Sequence, residues 1–165
     1  MKENARLFVT YNGGRNYPEC FSLSIREIYS VKALGGYKKV ALTGGELFLY
    51  PGKLMKLIKQ LKKVNKHCEV YIYTECLDLR DYEKILNLVD GITVTLSANA
   101  TDEDIRNLKY MSEYLYGEDI DMSLFIDKEV YNRYDLRNIR METWDVVGAL
   151  KYIPAANEEL LYMQI

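Results

Sequence analysis

The chain has 165 residues, 48% of them hydrophobic, which is enough for one well-cored globular domain and leaves no apolar run of membrane-spanning length. Its net charge of −2 argues against a general binder of nucleic acid or of anionic membranes. Three cysteines, Cys20, Cys68 and Cys76, are too few for a disulfide scaffold, and with no leader-like start a reducing, cytoplasmic setting is expected.

In chain order, Arg6 to Tyr11 reads as a first strand, followed by a turn-rich loop, Asn12-Gly13-Gly14-Arg15-Asn16-Tyr17-Pro18. Ser24 with Glu27 has the spacing of a capping box, which predicts a helix running to Leu34 and stopping at Gly35-Gly36. Lys39 to Thr43 is the second strand. Leu54, Leu57, Ile58, Leu61 and Val64 then mark one face of a helix. Lysines 53, 56, 59, 62, 63 and 66 crowd the rest of that helix, and a solvated outer face is expected there rather than a nucleic-acid patch.

Glu69 to Thr74 is the third strand, and Asp81 to Val89 is predicted to be a helix that Gly91 breaks. Ile92 to Leu96 is the fourth strand. Thr101 caps a helix whose first turn holds Asp102, Glu103 and Asp104, where the helix dipole favours carboxylates. Asp121 to Ile126 is the fifth strand. Beyond it, Asp145 to Ile153 is expected as a sixth strand and Glu158 to Met163 as a short helix. Tyr131, Tyr134, Trp144, Tyr152 and Tyr162 are expected to cover an open side of the fold.

Alternating strands and helices at this spacing define an α/β fold with a mainly parallel sheet of about five to six strands. One domain, 1–165, is expected, with a core at 6–127 and an extension at 128–165. Ligands of such sheets sit beyond the carboxyl ends of the strands. That rim should gather residues 12–17, 43–46, 74–76, 97–99 and 127–129, with His67 and Cys68 at the opposite rim.

Leu42-Thr43-Gly44-Gly45-Glu46 resembles the "GGE" signature of radical S-adenosylmethionine (SAM) enzymes. Leu88-Val89-Asp90-Gly91-Ile92-Thr93-Val94-Thr95-Leu96-Ser97 is similar to that family's fourth strand, and Thr74-Glu75-Cys76 stands where the family often has Thr-Asn-Gly. The resemblance covers about residues 6–127. It implies a partial (β/α) barrel, and Thr43, Gly44, Gly45, Glu46, Thr74 and Ser97 as cofactor-binding positions, with Glu46 on the amino group of SAM.

The departures from the family matter as much. The family's C-x-x-x-C-x-x-C loop is absent: if Cys20 matches its last cysteine, Gly13 and Tyr17 hold the other two places. One thiolate in that loop cannot hold a four-iron cluster, and without the cluster there is no electron donor for reductive cleavage of SAM. The resemblance therefore implies a degenerate member that acts by binding, as a partner or regulator of another protein. Two alternatives are a small-ligand protein that still takes SAM or a nucleotide at Gly44, Gly45 and Glu46, and a metalloprotein using Cys20 and Cys76. Asn12 to Asn16 can also be read as an anion nest, although it fits no phosphate-loop pattern.

Overall fold

The computed structural model describes residues 2–11, 24–44, 47–75, 83–148 and 157–165. Their strands are β1 (Asn4–Thr10), β2 (Arg26–Glu27), β3 (Lys39–Gly44), β4 (Glu69–Thr74), β5 (Gly91–Leu96), β6 (Asp121–Ile126), β7 (Trp144–Gly148) and β8 (Glu158–Gln164). All join one sheet in the order β2-β8-β1-β3-β4-β5-β6-β7, and every pairing is parallel. The helices are α1 (Pro51–Val64), α2 (Glu83–Leu86), α3 (Asp102–Tyr114) and α4 (Lys128–Arg133).

Strand residues alternate in character because successive side chains leave the pleat on opposite faces. Leu7, Leu42, Ile72, Val94 and Leu124 point to one face and join a single core with Leu54, Leu57, Ile58 and Leu61 of α1 and Leu108 and Met111 of α3. Burying each such side chain is worth roughly 1.5–3 kcal/mol. The partners on the other face of the strands are Arg6, Lys39, Thr43, Tyr71, Tyr73, Thr93, Thr95, Asp121 and Ser123. A parallel sheet covered on both sides reads as continuous apolar runs, whereas these strands read apolar and polar by turns.

The ends of the helices are fixed locally. Thr101 and Asp104 form the capping box of α3, each side chain accepting from the other's backbone N–H. Asn65 closes α1 by donating from its side chain to the carbonyls of Tyr37 (2.7 Å) and Leu34 (3.4 Å).

Four sequence expectations are corrected. The sheet has eight strands, not five or six, because residues 128–165 contribute β7 and β8, and β8 lies inside the sheet beside β1. Glu158 to Met163 is part of that strand and not a helix: Leu160, Leu161, Tyr162 and Met163 are all buried, on both faces, which one helix face cannot provide. The helix predicted from Ser24 to Leu34 is instead β2 and a one-turn 3-10 helix at Val31–Leu34 capped by Ser30, because Arg26 is drawn to Glu159 of β8. Gly91 is a strand residue, and α2 is a single turn among the described residues. Trp144 is buried, but within the core that α1 and α3 share, so it does not cover the open face; Tyr162 does, packed with Phe8 and Leu160.

Candidate functional site

The uncovered face of the sheet is built from contacts that skip a strand. Arg6 on β1 reaches past β3 and lays its guanidinium 4.0 Å from the ring centre of Tyr73 on β4. The β3 residue in register with Arg6 is Ala41, small enough to pass under it. Tyr71 on β4 reaches past β5 and donates its hydroxyl to the Asp121 carboxylate on β6. The β5 residue between them is Gly91, and a Cβ there would stand 2.3 Å from the Tyr71 ring. Gly91 is therefore glycine because a ring lies over it.

Strands two apart in a flat sheet are separated by roughly 9.6 Å. Side chains bridge that gap readily when the face is concave, since their tips converge. The uncovered face is thus a basin with long residues arching over small ones.

The half of the basin nearest the amino ends of the strands is closed by charge. Arg6 Nε donates to Glu158 Oε1 at 2.9 Å, with both side chains more than nine-tenths buried. Lys39 Nζ stands 3.4 Å from the Tyr71 ring centre. Burial, and then the hydrogen bond to Asp121, push the Tyr71 hydroxyl well above the usual tyrosine range, so it stays a donor. The other half is lined by groups with little charge: Tyr162, Phe8 and Thr43 lie in one register, and Tyr73, Thr93, Ser123 and Asp145 in another.

The candidate residues fall into three groups. Thr43 is half-buried in the basin beside Phe8, and Ser97 is exposed just past β5 on the same alternation as Thr93 and Thr95. Thr74 is buried and shares the alternation of Val70 and Ile72, which places it on the helix-covered side. Gly44 ends β3 with φ of 141°, and a Cβ there would meet the Val9 carbonyl oxygen at 2.2 Å. Close packing of two strands therefore requires this glycine whether or not a ligand binds. Gly45, Glu46, Cys20 and Cys76 lie outside the described residues, as does the Asn12 to Asn16 loop.

Among the described residues no group of three or more His, Cys, Asp or Glu is placed to hold a metal ion. Cys68 stands just before β4 at the amino rim, where burial raises its thiol to about 11, so it is a poor nucleophile. The sequence reading missed Arg6, Glu158, Tyr71 and Asp121. An arginine inside the apolar run Ala5 to Val9 was the available signal.

No protein-family model matches this chain, and no curated protein matches it as a relative. The fold and the basin define it as an α/β protein with an all-parallel sheet and one uncovered, polar face. No described helix is long and apolar enough to cross a membrane.

Proposed function

We propose that this chain works by binding and not by cluster-driven cleavage, as a degenerate relative of the radical SAM fold that holds a small molecule, SAM or a nucleotide, in its basin. The concave polar face carries this reading. Its charged half is satisfied by internal pairs, and its other half offers hydroxyls and aromatic faces next to Gly44 and, one step further, Gly45 and Glu46.

Strand order supports the partial barrel. Apart from β2, the strands follow one another around the sheet cyclically, with β8 returning to the side of β1. Between Gly148 and Glu158 the chain reaches at most roughly 33–36 Å. On a flat sheet it would cross six strand spacings and one strand length, roughly 33 Å, and so would be drawn taut. Rolling the sheet toward its polar face relieves that demand.

A titration of anaerobically purified protein with SAM, followed by calorimetry, tests the assignment. Saturable binding that Glu46→Ala and Tyr73→Leu each weaken at least tenfold is the expected result. Binding that neither substitution changes would remove the site from the basin. No binding of SAM or of any nucleotide would leave the second reading, a regulator of another protein. That reading is favoured by Leu49, 62% exposed, and Tyr50 beside it at the start of α1.

A further inference from the structure

We infer that the outward face of α1 is a docking surface for an acidic segment of another protein, separate from the basin. The helix has five lysines in fourteen residues and no carboxylate. One of them has an ordinary structural role: Lys62 is half-buried and donates to Asp90 (2.6 Å) and to the Cys68 carbonyl (2.9 Å). Lys56, Lys59 and Lys63 are exposed and form no ion pair among the described residues. They stand at i, i+3 and i+7, a single stripe roughly 10 Å long.

Like charges three and four apart weaken a helix, and a face kept only for solvation is better served by mixed charge. The molecule does this elsewhere: α3 interleaves acids and bases, with Arg106 paired to Glu103. The stripe on α1 also borders a hollow of about 320 Å³ lined by Gly52, Met55 and Gln60 with the three lysines. Met55 gives that hollow an apolar floor, and nothing lies within 4 Å of where a Gly52 Cβ would stand. A helical segment with carboxylates at the same spacing and one aliphatic side chain between them matches both the stripe and the hollow.

The same features select a protein segment over other anions. α1 has no arginine for bidentate phosphate contacts and no exposed aromatic ring in this stripe for base stacking. With five positive charges on α1 and a total of −2, the rest of the chain carries −7. Screening over about 8 Å lets a narrow segment feel α1 alone. A duplex or a bilayer would also meet the acidic remainder.

The test uses the full chain at physiological ionic strength. Fluorescence anisotropy follows a labelled helical peptide with glutamates at i, i+3 and i+7 around one leucine. The comparison probes are a scrambled peptide of the same composition, an oligothymidylate and phosphatidylserine vesicles. The expected result is binding of the ordered peptide ahead of all three, lowered about tenfold by Lys56→Gln, Lys59→Gln and Lys63→Gln together, as three exposed ion pairs of ordinary strength would give. An unchanged thermal melt checks that the triple variant is folded. Equal binding of the scrambled peptide, insensitivity to the triple substitution, or tighter binding of oligonucleotide or vesicles would each overturn the proposal. Self-association that the triple substitution abolishes would overturn it in favour of a second copy of this chain.

Discussion

The two faces of the sheet solve the same packing problem in different ways. On the covered face, side chains meet helices: Leu42 and Ile72 are fully buried among Leu54, Leu57, Ile58 and Leu61, and no polar pairing is needed. On the uncovered face, side chains meet each other across a skipped strand, and contact depends on a small residue beneath each bridge. The first arrangement tolerates loss of detail, because apolar burial is non-directional. The second relies on charge and geometry, so removing one partner strands the other.

The largest effect that sharpens this contrast is expected at Arg6. Arg6→Met leaves the Glu158 carboxylate buried and unpaired, a loss of about 3–5 kcal/mol in urea unfolding. Adding Glu158→Leu should restore most of it. If the double variant is no better than the single, the pair is not the cause. On the covered face, Ile72→Ala should cost about 2–5 kcal/mol through the cavity it opens, with no second substitution nearby that repairs it.

The smallest effect is at Tyr71, where Tyr71→Phe removes one hydrogen bond, worth about 0.5–1.5 kcal/mol at neutral pH. Its pH dependence is more telling. The folded-state pKa of Tyr71 is raised, so its contribution is fully present below the unfolded value of about 10 and is lost as pH rises beyond it. Wild type should therefore lose stability faster than Tyr71→Phe in alkaline urea titrations. Parallel curves would mean that the hydroxyl is not held by Asp121.

Much of the fold was legible in the sequence for a simple reason. Strands such as Glu69 to Thr74 and Asp121 to Ile126 alternate cleanly, and Thr101 with Asp104 announces its helix. That same alternation already stated that one face would be polar. The tail was not legible, because Leu160 to Met163 is apolar without a period and only the neighbourhood of β1 makes it a strand. Ser24 to Leu34 misled because its capping spacing is local, while the Arg26 partner, Glu159, is distant in sequence. At the site, Thr43 and Ser97 were placed correctly at the rim; Thr74 was placed there by position, although its parity in β4 assigns it to the other face. Arg6 and Tyr71 escaped notice because a strand-skipping bridge has no spacing that one segment can show.

The place of β8 beside β1 has a consequence for synthesis. Arg6 and Glu158 are 152 positions apart, so β1 leaves the ribosome on the order of ten seconds before its partner strand exists. Through that interval a strand destined for burial on both faces has one unpaired edge, the kind of segment that nascent-chain chaperones shield. A chain halted before residue 158 would carry that edge permanently, and its fate would be decided by aggregation and proteolysis more than by the stability of the finished sheet.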